Sequence, residues 1–292
     1  MIFFSILEQI AQFLPLIIGA YISMSLMKIT NFSIESAYLF GAIMASKILS
    51  LGYSGIISLI LVLTASTFGG ALVGAFTAFL YEKVKFTDVL SAIITIGFFY
   101  GLAPMMISGS QIHLSQFHDP LKSLYFQSHQ HLFISFFVAL FLYILFILFI
   151  KTQIGMSCAI YGNNKSFLKN YHINQSYVVT IGLLISNGLA GISGYMVAQN
   201  NGIVDLNMGT GISLLCLSSL ILGKSIRGVY KPIQASIPFL GTGGYFLIQA
   251  FLLKMGFHLQ YFTIIQAIMV ASLLIIFSKF FKLSSRQDLL GI

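Results

Sequence analysis

Charge is what this chain has least of. Asp, Glu, Lys and Arg together make up 8% of its 292 residues, against about 25% in a soluble domain. So few charges do not cover a water-facing surface, and a soluble globular protein is excluded. Cysteine is nearly absent too. Cys158 and Cys216 lie in apolar settings and do not make a disulfide framework or a metal site. Catalytic signatures are also missing. There is no His-Glu-x-x-His, no Gly-x-Ser-x-Gly and no pair of intramembrane aspartates, so no nucleophile stands beside a visible base. His113 and Asp119 are too far apart for a His-x4-Asp pair. The sequence therefore predicts a protein that is not an enzyme.

What is present is apolar: 58% of residues are hydrophobic and the mean hydropathy is +0.94. The apolar runs are long and continuous rather than short and alternating. They predict an all-α, polytopic helical membrane protein and not a barrel. With roughly 20 apolar residues needed per crossing, nine candidate spans are read, at 2–26, 34–50, 54–80, 88–108, 130–150, 177–199, 208–223, 233–253 and 258–278. The second is short and the third long, which leaves room for a tilted or re-entrant element and sets the count at about 8–9. No basic stretch precedes the apolar N-terminus, so no cleavable signal peptide is expected. Without a linker, a low-complexity stretch or a visible repeat, residues 1–292 are expected to form one membrane domain.

The basic residues set the orientation. Twelve of the fifteen fall in loops on one side: Lys28, Lys83, Lys85, Lys151, Lys165, Lys169, Lys224, Arg227, Lys231, Lys279, Lys282 and Arg286. The asymmetry predicts an N-terminus outside and a C-terminus in the cytoplasm. It also accounts for the net charge of +8 without invoking nucleic acid. The outer side then holds Gly109–Gln130, with His113, His118, Asp119 and His129, and the shorter loop Asn200–Asn207. No Cys or Glu completes a metal set with the histidines, and a polar surface loop is expected there.

Gly223-Lys224-Ser225 has the ending of a phosphate-binding loop, but Ser218 stands where the first glycine is required and no strand precedes it. A basic helix end explains it better. Gly70-x-x-x-Gly74 and the series Gly188, Gly191, Gly194 mark close helix packing. Ionisable residues inside spans are scarce: Glu8 lies about two turns into the first span and Glu35 at the start of the second, while the centres carry Ser186, Asn187, Gln249 and Gln266. A titrating relay is not evident, so energy for transport is expected from a separate ATP-hydrolysing subunit. A stand-alone ion-coupled secondary transporter is the alternative.

One sizeable polar segment remains on the basic side, about 151–176. Within it Asn163 or Asn164 is placed to cap a short helix. Phe167, Leu168 and Tyr171 form an apolar stripe beside Lys165 and Lys169. Such a helix is too short to cross a bilayer; it lies on the membrane surface or inserts into a partner's groove.

From Gly162-Asn163-Asn164 onward the chain resembles the permease subunits of bacterial ABC importers of the branched-chain amino-acid and ribose type, nearest the tryptophan/tyrosine-type permeases. The resemblance runs through Ser186-Asn187-Gly188-Leu189-Ala190-Gly191, Ala198-Gln199, Asp205-Leu206-Asn207-Met208-Gly209 and Leu222-Gly223, and includes Leu14-Pro15-Leu16, Gly19–Ser23, Asn31-Phe32 and Gly41-Ala42 near the start. It departs where the family has Gly before Ile, here His172, at the alanine replaced around Phe167-Leu168, and at Lys224 in place of an acid. The resemblance implies a multi-pass protein of the bacterial inner membrane. Its implied partners are a cytoplasmic ABC ATPase that holds ATP and Mg, a periplasmic substrate-binding protein and a second permease copy or paralogue. The implied ATPase-coupling residues are Gly162, Asn163, Asn164, Phe167, Leu168, Lys169, Tyr171 and Ile173. Asn187, Gln199, Asp205 and Asn207 are candidates for the solute path, and the solute is expected to be an amino acid.

Overall fold

The computed structural model describes residues 2–256 except 54, 108, 110, 115–129 and 231–233, and beyond 256 only 264, 266–268 and 271–272. The span read at 258–278, the outer residues His118, Asp119 and His129, and the side chains of Lys165, Lys169 and His131 fall outside the described part. The chain folds as two compact units, Met1–Ser213 and Leu214–Ile292.

The helices follow the apolar runs: α1 (Ile2–Ala20), which passes into a π-helical turn at Tyr21–Leu26, then α2 (Ile34–Leu49), α3 (Gly55–Glu82), α4 (Asp88–Met106), α5 (Gln130–Lys151), α6 (Gln153–Asn163), α7 (Lys165–Asn170), α8 (Gln175–Asn201), α9 (Ile212–Tyr230) and α10 (Ile237–Lys254). Local chemistry sets their ends. Thr87, Thr152 and Asn174 cap α4, α6 and α8 by accepting from backbone N–H groups. Gly202 closes α8 in the left-handed region at φ 72°. Among the described residues five helices are long and apolar enough to cross a membrane: Phe4–Leu26, Gly55–Glu82, Asp88–Met106, Gln175–Asn201 and Ile237–Lys254. Ser135–Lys151 and Gln153–Asn163, bent by 70° at Thr152, supply a sixth if they count as one crossing. The helix read at 34–50 is present as read, and the one read at 208–223 is shifted. α2 has 16 residues and rises about 24 Å, short of a hydrocarbon core of about 30 Å. α9 starts later and runs on through Lys224 and Arg227.

α8 is the centre of the first unit, packed against α1, α2 and α3. Its small face permits backbone contact. A Cβ on Gly191 would stand 2.2 Å from the Ser66 carbonyl oxygen, and one on Gly194 would stand 1.9 Å from that of Tyr38. From α3 the same holds for Gly70 and Gly74, whose added Cβ atoms would meet the Asn187 and Leu183 carbonyls at 2.1 and 2.5 Å. The glycines singled out from the sequence thus mediate packing inside one chain. α2 is buried on nearly every side, from Ile34 to Leu49. The stretch from Met27 to Ser33, which carries no regular helix, is sheltered in the same way: Ile29, Asn31 and Ser33 are buried. Irregular backbone survives at membrane depth where protein surrounds it.

The opposite end of the unit holds an exception to the all-α expectation. Gln111–His113 and Ile203–Asp205 pair as a two-stranded antiparallel ribbon, β1 with β2, with Gln111 opposite Asp205. Loop charge assigned these two segments to one face, and the ribbon joins them. Outside the helices their backbone groups still need partners, and each supplies the other.

Two substitutions separate the packing role of glycine from its helix penalty. Gly191→Ala is expected to cost about 2 kcal/mol or more, because the added carbon meets backbone. Gly97→Ala, where an added Cβ meets nothing within 4 Å, is expected to be neutral or stabilising by up to about 1 kcal/mol. Melting temperatures of the two purified variants in one detergent give the comparison, and equal losses would contradict it.

Candidate functional site

The polar segment folds as a helix–turn–helix rather than one short helix. After the bend at Thr152, Gly155 lies so close to the end of α5 that a Cβ would stand 2.1 Å from the Phe149 carbonyl oxygen. At its other end α6 is seated on the π-helical turn: a Cβ on Gly162 would be 2.0 Å from the Leu26 carbonyl oxygen. The Lys28 ammonium donates to Asn163 Oδ1 at 2.8 Å, and the Tyr81 and Tyr161 hydroxyls lie 3.1 Å apart. Asn163 therefore ties the segment to the bundle, and Asn164 caps the next helix, its Oδ1 accepting from Phe167 N at 3.2 Å.

α7 divides the stripe read from the sequence. Leu168 is 0% exposed and anchors the helix, whereas Phe167 is 40% and Tyr171 65% exposed. The Phe167 and Tyr171 rings, one helical turn apart, stand 4.4 Å centroid to centroid. Ile173 is exposed as well. The helix ends in a left-handed turn: Tyr171 N donates to Phe167 O at 3.2 Å, Ile173 N donates to Leu168 O at 3.0 Å, and His172 has φ 55°. That bond from Ile173 back to Leu168 is the long bond of a Schellman motif, whose left-handed position suits glycine. A Gly-Ile pair, the pattern the resemblance implies, would suit this turn, and His172 fits it too, since histidine is among the side chains that enter this region more readily.

The second polar region is internal. Asn31 Nδ2 donates to Asn187 Oδ1 at 3.0 Å, Asn187 Nδ2 to Ser33 Oγ at 3.1 Å, and Ser33 Oγ to Asn31 Oδ1 at 2.6 Å. Thr77 extends the chain to Ser33 at 2.9 Å and Thr95 at 3.2 Å. On the residue before Asn187, Ser186 Oγ donates to Gly19 O at 2.8 Å and to Ser23 Oγ at 3.0 Å. Asn187 is fully buried, with both ends of its amide bonded. The sequence pointed to Asn187 but not to Ser33, Thr77 and Thr95; the only signal for them was a hydroxyl inside or beside an apolar run.

The other path candidates lie elsewhere. Asp205 accepts from Gln111 Nε2 and from Asn207 N, each at 2.7 Å, so its carboxylate organises the β-ribbon and the turn after it. Asn207 is exposed. Gln199 borders a cavity in the first unit, and its Oε1 is buried. Glu35, read only as a residue near a span start, reaches the first turn of α9: its Oε1 accepts from Ser213 N at 3.2 Å and from Ser213 Oγ. A carboxylate at a helix N-terminus offsets the free N–H groups and the dipole there. Gly223-Lys224-Ser225 is helical, and a Cβ on Gly223 would come within 2.3 Å of the Ile237 carbonyl oxygen. That glycine serves packing against α10 and not a phosphate loop.

Replacing His172 with Gly is expected to relieve about 1 kcal/mol of left-handed strain. Amide exchange at Ile173 should slow roughly fivefold. Unchanged or faster exchange would show that the turn is not strained.

Comparison with known proteins identifies the family. The model of the family described as branched-chain amino acid transport system / permease component matches residues 2–279. A tyrosine transport system permease protein of Clostridioides difficile (strain R20291) is 29% identical over 209 residues, 72% of this chain and 68% of that protein. An uncharacterised protein of Rickettsia prowazekii (strain Madrid E) is 26% identical over 257 residues, 86% of this chain and 88% of its own length. No solved structure matches. The family match spans both the glycine-packed bundle and the polar segment, and the chain belongs to the permease components of branched-chain amino acid transport systems, a transport subunit and not an enzyme.

Proposed function

We propose that this chain is the membrane-spanning subunit of an ATP-driven importer of the bacterial inner membrane, with 8–9 crossings, its N-terminus outside and its C-terminus in the cytoplasm. Two copies, or one copy and a paralogue, frame the solute path. Cytoplasmic ATPases carrying ATP and Mg grip the segment from Gly162 to Ile173, and a periplasmic binding protein delivers solute to the face bearing the β-ribbon. The solute is an amino acid, a reading supported by the name of the Clostridioides difficile relative. The observation that carries the proposal is the exposed Phe167–Tyr171 ring pair at the C-terminal end of a helix of 6 residues. Loop charge assigns that helix to the cytoplasm. Rigid aromatic side chains are the common anchors of protein interfaces, and this pair stands on a helix held to the bundle by Gly162, Asn163 and Leu168. Lys169 lies on the same short helix. On the opposite side Gln199, Asp205 and Asn207 are the polar groups nearest the expected entry, with Asn187 deeper.

Two experiments bear on this. Phe167→Asp with Tyr171→Asp is expected to abolish co-purification with the ATPase while leaving the stability of the isolated chain within about 1 kcal/mol of wild type. Retained complex would remove the coupling assignment. The chain alone in liposomes is expected to take up no amino acid under a sodium or proton gradient. Gradient-driven uptake would instead support the ion-coupled secondary transporter.

A further inference from the structure

Glu8 is the sole acidic residue of α1, about two turns into an apolar helix. It borders a cavity of about 30 Å³ together with Gln12 of the same helix, Ser135 of α5, and Tyr195, Gln199 and Asn200 of α8. That volume admits one water-sized species. Gln12 is 3% exposed, and its Nε2 reaches Glu8 Oε1 at the long distance of 3.5 Å. Gln199 Oε1 is buried and, among the described residues, accepts no hydrogen bond. Among the described residues no Lys, Arg or His lines the cavity, and no ion pair reaches Glu8. A carboxylate and the amide oxygen of Gln199 therefore border one small space whose other polar groups, the Ser135 and Tyr195 hydroxyls and the Gln12 and Asn200 amides, each bring a neutral oxygen. Carboxylates inside apolar spans are costly unless paired, and they mark ion sites.

We infer that the cavity bordered by Glu8, Gln12 and Gln199 binds one compact monovalent cation, either an alkali ion or the ammonium group of a small solute. One carboxylate among neutral oxygens balances a single positive charge. A divalent ion would leave one positive charge unbalanced in this apolar setting. The site sits within one protomer and is independent of ATPase coupling, so it stands or falls separately from the proposed transport role.

The full-length chain in detergent is titrated with sodium chloride, and separately with methylammonium chloride, against choline chloride at constant ionic strength, with melting temperature as the readout. A saturable rise over choline is expected with at least one of the two, as for any ligand that binds only the folded state. A rise with sodium identifies an alkali site, and a rise with methylammonium alone identifies an ammonium site. Glu8→Gln should abolish the rise. Gln199→Met keeps the carboxylate and removes the orphan oxygen, and should raise the half-saturating concentration about tenfold; it carries the test if Glu8→Gln does not fold. No saturable rise with either cation, or unchanged titrations in the folded variants, would overturn the inference.

Discussion

Backbone touching backbone along α8 is the constraint from which the first unit is built. Lipid tails give helices no hydrophobic reason to associate, so close contact and interhelical hydrogen bonds must hold them. Gly191 and Gly194 on α8, met by Gly41 on α2 and by Gly70 and Gly74 on α3, remove the side chains that would keep these helices apart. Only at that separation do Asn187, Ser33, Asn31 and Thr77 come within hydrogen-bonding reach. The order matters physically, because a polar cluster left open in an apolar interior would be destabilising. Small residues bring the backbones together, and the closed network then fixes the irregular stretch before α2.

That stretch links the interior to the polar segment. Met27 and Lys28 lie at the same break in α1 that supports Gly162 and Asn163, while Thr30 N donates to Asp88 Oδ2 at 2.9 Å, drawing in the start of α4. Force applied to α7 would pass through Leu168 and Asn163 to a chain break rather than to the middle of a regular helix. A break of this kind, where few helical hydrogen bonds must be lost, is where a helix changes direction at least cost.

Much of this was legible in the sequence, and what was not has a common cause. Apolar run length located α1, α3, α4, α5, α8 and α10 to within a few residues, since a helix in lipid satisfies its own backbone and ends where polar residues begin. The cap at Asn164 was readable because its partner, Phe167 N, is three residues away. The burial of Leu168 beside exposed Phe167 was not, because periodicity gives a face but not what covers it. Nor was the network of Asn187 with Asn31, Ser33 and Thr77, which joins positions more than 100 residues apart. His172 lies between these cases: as a departure from a family pattern it was visible at once, and its left-handed φ supplies the reason glycine is expected there.

The central claim is that α7 presents Phe167 and Tyr171 outward to an ATPase while Leu168 holds it to the bundle. Site-specific photocrosslinking in intact membranes addresses this directly, with a photoreactive phenylalanine analogue placed at position 171 or at position 168. The account predicts an ATPase adduct from position 171 and only intramolecular products from position 168. An ATPase adduct from 168 would contradict its role as the buried anchor, and labelling of lipid alone from 171 would mean that the helix lies on the membrane surface with its aromatic pair facing the bilayer.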